Sequence, residues 1–255
     1  MKRVLFLILA VLLVLPPLAG CDLDDAKESE YFFPTDTYNW YSRDDTSPIY
    51  DPGAASQKNV VKTVQTHTGE IPLTTPTRTY SYELPFIDLA GSHAASCNQD
   101  IENFFGTLIR QSLDAMERYE DPILERLSYS TFEISGILTL RVNRRDCDGE
   151  GSQAWYTVDA ETGEAVSVAR LFAAAGISGD PAAVVNDAAL ARFTSRYGAL
   201  QGSDAAHTTA WNRTQGALSP LTANRMHLNA NGSLTVAFEL FAPDGGSSIV
   251  ELTLP

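Results

Sequence analysis

The chain has 255 residues, 44% of them hydrophobic and 20% charged, enough for a packed core outside any biased segment. Its 18 Lys and Arg stand against 32 Asp and Glu, a formal net charge of −14, and no basic stripe is visible along the sequence. That balance argues against nucleic acid as a partner, and a single apolar run excludes a polytopic membrane protein.

That run comes first. Lys2 and Arg3 lead into the twelve apolar residues Val4–Leu15, closed by Pro16 and Pro17. As a helix it would rise about 18 Å, short of a hydrocarbon core of roughly 30 Å, so it reads as a secretory signal over 1–20 rather than a span. Its end, Leu18-Ala19-Gly20-Cys21, resembles the bacterial lipobox. The resemblance implies cleavage before Cys21, diacylglycerol on its thiol and acylation of the new N-terminus; two or three chains anchor stably where one is marginal. The other reading is an ordinary signal peptide with a chance cysteine. The chain is thus expected at the cell membrane, lipid-anchored and facing the extracytoplasmic side.

Residues 21–56 read as an acidic tether. Nine acids face Lys27 and Arg43, and Pro34, Pro48, Pro52 and Gly53 interrupt any period. Seven of the chain's aromatics fall here, namely Tyr31, Phe32, Phe33, Tyr38, Trp40, Tyr41 and Tyr50. Tethers are normally aromatic-poor, so the segment packs back on the domain, idles, or offers a binding strip.

Strand signals begin at Val60–His67 and continue at Thr77–Leu84, both alternating and rich in β-branched residues. Between about Asn98 and Tyr119 the period becomes helical, with Ile101, Phe104, Phe105, Leu108, Leu113 and Met116 on one stripe; Asp100, Glu102, Arg110 and Glu117 lie opposite. Strand character returns over Tyr129–Val142, with Gly136 as a turn or bulge. Trp155–Val158 then runs into a turn at Asp159–Gly163 and returns through Ala165–Val168. Asp180-Pro181 opens a helix that ends near Gly198. Gly202–Ser219 reads as a polar loop, followed by a meander of Arg225–Asn229, Leu234–Phe241 and Ile249–Leu254. The expectation is an α+β fold with antiparallel sheets and helices packed on them, in two sub-lobes at 57–175 and 176–255.

No Gly-x-Ser-x-Gly elbow, Walker loop or His-Glu-x-x-His pair is present. His67 and His227 fall in strand-like runs and read as structural or surface residues; His93 and His207 fall in loops, within reach of distant carboxylates. Glu102 and Asp114 read as a solvated helix face. Asp146, Asp148 and Glu150 occupy the first, third and fifth positions of a calcium-loop opening. The twelfth position is Thr157 rather than an acid, so an ion-free acidic hairpin tip is the competing reading. No other cofactor is expected. Cys97 and Cys147 are either joined by a disulfide in an oxidising compartment, closing a loop of about 50 residues for about 4 kcal/mol, or two free thiols.

Several of these pieces together resemble a known extracytoplasmic module shared by RsiV-type anti-sigma factors and PdaC-type polysaccharide deacetylases. They are Tyr82–Ile87 with its Leu-Pro, then Asn98–Ile101 opening a helix, and Tyr156–Glu164 with the pair Leu171-Phe172. Asn231-Gly232, Ala242–Gly246 and Val250–Pro255 complete the order, over roughly residues 77 to 255. With three residues ahead of the apolar run, the chain is not expected to sequester a sigma factor. Ending where the module ends, it is not expected to carry a deacetylase domain.

In the anti-sigma factors the module is similar to a lysozyme receptor. The resemblance therefore implies a non-catalytic binding or sensing module for a cell-wall component or an extracellular protein such as a lysozyme. A structural lipoprotein assembling an envelope complex, and an envelope glycan or peptide hydrolase with non-contiguous residues, are the alternatives.

Overall fold

A computed structural model describes residues 60–72, 74, 76–200 and 204–254. The signal, Cys21 and the aromatic tether expected over 1–56 lie outside the described residues. The fold is α+β. Strands β1 (Val61–Ile71), β2 (Arg78–Ile87), β3 (Leu124–Ile134), β4 (Ile137–Asp146) and β5 (Gly151–Asp159) form one sheet in that order. All neighbours run antiparallel except β2 and β3, which meet in parallel at Ser81–Arg126 and Tyr82–Leu127. That pairing needs a crossover, supplied by α1 (Ser92–Ile101), a π-helical turn (Glu102–Gly106) and α2 (Thr107–Glu117).

The crossover covers one face of the sheet. Ala94, Cys97, Ile101, Phe105 and Ile109 from the helices meet Tyr82 and Leu84 of β2, Leu140 and Val142 of β4, and Tyr156 and Val158 of β5, all buried. The helix begins at Ser92, ahead of the expected start, because Ala94 and Cys97 extend the buried stripe with side chains too small or polar to stand out in the sequence. Asn98, expected to open the helix, sits inside it and works sideways. Its Oδ1 accepts from the Ile87 N–H at 2.7 Å and its Nδ2 donates to the Ile87 carbonyl at 2.8 Å, as a neighbouring strand would.

The expected turn at Asp159–Gly163 is tightly held. Asp159 Oδ1 accepts from the Thr162 N–H at 2.7 Å and its hydroxyl at 2.8 Å, while Oδ2 pairs with Arg170. These partners hold its carboxyl well below the usual carboxylate range. Gly163 has φ +75°, and its carbonyl accepts from the Ala94 N–H at 2.8 Å, locking the turn onto the start of α1. Gly91 passes so close that an added Cβ would lie 2.2 Å from the Gly163 carbonyl carbon.

A second core starts on the other face of the larger sheet, at Ile137 with Phe132 and Ile134 against it, and continues from Val166. It takes Leu171 and Phe172 from α3 (Val168–Ala174), Val185, Ala189 and Phe193 from α4 (Pro181–Tyr197), and Trp211 and Leu218 from α5 (Ala205–Leu218). These pack on a three-stranded antiparallel sheet of β6 (Met226–Leu228), β7 (Leu234–Phe241) and β8 (Ser247–Thr253). Asp180 caps α4 by accepting from the Ala183 N–H at 3.0 Å, with Pro181 in the first turn, as expected. The anticipated return strand at Ala165–Val168 reduces to one bridge between Val158 and Ala165, because Ser167 instead caps α3.

The expected loop at 202–219 is corrected to the helix α5 over most of its length. Asp204 caps it, and its buried face includes Thr214, whose hydroxyl donates to the Ala210 carbonyl and accepts from the Phe241 N–H, both at 3.1 Å. A threonine doing hydrogen-bonding work on the core side hides the apolar period.

The disulfide reading is corrected too: Cys97 and Cys147 are both free. Cys97 neighbours Asn98, bound to Ile87 at one end of β2; the Cys147 carbonyl accepts from Arg78 at the other, at 2.9 Å. Ten strand residues separate those ends by roughly 30 Å, and a disulfide needs its Cα atoms within about 7 Å. The reach of one arginine does not close that gap. Burial pushes the Cys97 thiol up to about 12.

Candidate functional site on the outer face of the larger sheet

Strand alternation gives the five-stranded sheet a second face. On β4, Leu138, Leu140 and Val142 point into the helix-covered core, so Thr139, Arg141, Asn143 and Arg145 point the other way. The register then assembles rows across three strands. Phe132, Thr139 and Thr157 form one; Ser130, Arg141 and Trp155 the next; Ser128, Asn143 and Gln153 the third. Arg126 and Arg145 sit directly opposite each other in the last, with Ser81 of β2 beside Arg126.

One end of this face is covered by the smaller sheet. Trp155 stacks flat on His227 of β6, with ring centroids 3.7 Å apart and planes 3° from parallel, and Phe132 meets Trp155 edge-on at 6.5 Å. His227 is buried, and desolvation together with the nearby Arg141 charge pushes it down to about 3, so it is neutral at physiological pH. Along the contact, Thr139 Oγ1, Thr157 Oγ1 and Trp155 Nε1 are buried with no hydrogen-bond partner among the described residues. Glu251 on β8 has one buried carboxylate oxygen in the same condition, and burial raises its carboxyl above the usual range.

The other end is open. Arg126 and Arg145 are exposed, while Ser128, Ser130, Asn143 and Gln153 are half-buried between them and the covered end. Arg141 marks the border: its Nε donates to Ser130 Oγ at 3.2 Å, and its guanidinium lies 5.4 Å from the centre of the Trp155 ring. Two carboxylates are nearby. Glu83 follows Ser81 on the same face of β2, and Glu125 lies 3.8 Å from Arg145 Nε but is already hydrogen-bonded by Arg78 at 2.8 Å. Guanidiniums, hydroxyls and amides on a rigid strand face can bind an anionic, hydroxyl-rich ligand without any chemical step.

The residues singled out in the sequence are dispersed. Both oxygens of Asp146 are engaged by Arg144, one at 2.6 Å, and Asp148 Oδ1 accepts from the Glu150 backbone, so the calcium-loop opening is occupied by internal contacts. Burial outweighs Arg144 and raises the Asp146 carboxyl. Among the described residues no three His, Cys, Asp or Glu gather as a metal site. His207 lies on α5 rather than in a loop, its ring bound to Asp204 and to the Tyr197 carbonyl, each at 2.8 Å. His93 lies near the start of α1 and is half-buried, which lowers it.

The arginine face was hidden by the sparse basic composition. Its signal is the even spacing of Arg141 and Arg145 within one strand, which puts both on one side. Among the described residues, no helix is long and apolar enough to cross a membrane. No protein-family model matches the chain. No curated protein is similar to it at a significant level.

Proposed function

We propose that this chain is a lipid-anchored, extracytoplasmic binding module that recognises a component of the cell wall through the outer face of its larger sheet. The observation that carries the reading is the division of labour on that sheet. One face is consumed by the core, and the other is only partly covered, leaving ordered polar side chains on rigid strands, where a ligand needs little reorganisation of the protein. The lipobox at Leu18–Cys21 supports a tether that holds such a face outside the membrane. The resemblance to the RsiV and PdaC modules supports the same assignment. An extracellular basic protein such as a lysozyme is a second reading, favoured by the net charge of −14, which steers cations toward the molecule.

The test is co-sedimentation of the full-length chain in detergent with purified cell walls, and separately its binding to a basic lysozyme, over a salt series. Saturable wall binding that persists at about 0.15 M salt supports the reading; loss by that point reduces it to bare charge attraction. Lysozyme binding alone would favour the second reading. Cys21→Ser is expected to move the protein from the membrane to the soluble fraction.

A further inference from the structure

We infer that the open end of the arginine face binds a phosphodiester-linked polymer of sugars or polyols, with Arg126 and Arg145 clamping one phosphate and Arg141 reaching the next. The inference rests on the cell-wall reading and names its ligand class.

Arg126 and Arg145 are cross-strand register partners, which sets their Cβ atoms about 5 Å apart. Like charges in that position repel, and the carboxylates near them are Glu125, 3.8 Å from Arg145 Nε, and Glu83 on the same face of β2. Among the described residues no hydrogen bond or ion pair forms to the Arg126 side chain, and Glu125 is shared with Arg78. An anion between the two guanidiniums converts the repulsion into two attractions. Guanidinium forks match the geometry of phosphate oxygens. Four residues along β4, about 13 Å away, Arg141 offers a second cation on the same face. Between them Ser128, Ser130, Asn143 and Gln153 present donors and acceptors suited to hydroxyl groups.

A protein partner fits less well. Protein interfaces centre on apolar and aromatic anchors, and the aromatic residue bordering this surface, Trp155, is already stacked on His227. A bilayer is an extended anionic surface that would bring the acidic remainder of the molecule against it, whereas a single polymer strand need meet only the arginine face.

The experiment titrates the full-length chain in detergent with poly(glycerol phosphate) oligomers across a salt series. Single-stranded DNA of equal charge and an uncharged chitin oligosaccharide serve as comparison probes. Arg126→Ala/Arg145→Ala is expected to lose at least tenfold in affinity and to flatten the salt slope by about two phosphate contacts, whereas Arg118→Ala, remote on the α2–β3 connection, leaves both unchanged. Relief of repulsion predicts an unchanged or higher Tm for the double variant without polymer, which separates lost binding from misfolding.

Equal loss in Arg118→Ala, unchanged binding in the double variant, or equal affinity for DNA would overturn the inference. Walls chemically stripped of phosphate polymer provide the last arm. Binding to stripped walls as strong as to intact ones overturns the inference and leaves the cell-wall reading standing. Binding to neither overturns both.

Discussion

Asn98 and His227 show how single side chains decide geometry here. Asn98 supplies both a donor and an acceptor to Ile87, past the end of the pairing between β2 and β3. Asn98→Ala leaves both backbone groups unpaired in a half-buried position and is expected to destabilise the fold by about 1–3 kcal/mol, measured by urea unfolding. His227 makes a pH-dependent contribution whose sign is fixed by its burial. In the folded chain it stays neutral down to about 3, whereas in the unfolded chain it takes a proton near 6.5. Between those values the unfolded state binds one more proton, so stability falls as pH falls, by about 1.4 kcal/mol per unit for this group. His227→Phe keeps an aromatic ring for Trp155 and removes the titration. Urea unfolding at pH 7, 6, 5 and 4 is expected to show the variant losing less stability per unit than the parent; parallel losses would refute the assignment.

At the scale of elements, the turn after β5 and the start of α1 are built as one piece. The Ala94 N–H bonds the Gly163 carbonyl, and the backbone of Gly91 passes against it with no room for a methyl group. Gly91→Ala forces apart two segments of backbone rather than a flexible side chain, so a loss of about 1–3 kcal/mol is expected in thermal unfolding. Because the clamp sets where α1 begins, the loss should be accompanied by faster amide exchange at Ala94, whose N–H bonds the Gly163 carbonyl, and at Ala95, whose N–H bonds the carbonyl of Gly91 itself. Retained protection at those amides would show that the turn and the helix move independently.

Between the two cores lies a contact in which aromatic stacking and buried Ile137 coexist with buried hydroxyls and an indole N–H that have no partner among the described residues. Such groups each weaken the contact by about 1–3 kcal/mol, so the stack of Trp155 on His227, with Phe132 on its edge, carries an outsized share of the coupling. Trp155→Ala is expected to destabilise by about 3 kcal/mol and to split a single urea transition into two, one for each core. A single transition with a shifted midpoint would mean that other contacts couple the lobes. The same contact decides how much of the arginine face is left open, which ties the proposed binding surface to the arrangement of the two lobes.

Local pattern sufficed for much of this architecture. Alternation found β1 and β2, the Asp159–Gly163 turn marked the end of β5, the Asp180-Pro181 start and Gly198 end bounded α4, and the Asn231-Gly232 turn sits between β6 and β7. These signals act within a few residues, so they survive in one dimension. The start of α1, the identity of α5 and the state of the two cysteines did not, because Ala94, Thr214 and Cys97 owe their roles to segments distant in sequence. The candidate site belongs to that second class. Arg126 and Arg145 become neighbours only through the β3–β4 register, and Trp155 meets His227 only when the two sheets pack. Sequence by itself determined the α+β class, the acidic surface and most element positions, because propensity and periodicity are local properties; tertiary structure alone decided which polar side chains share a face, because that follows from strand register and from which face the helices cover.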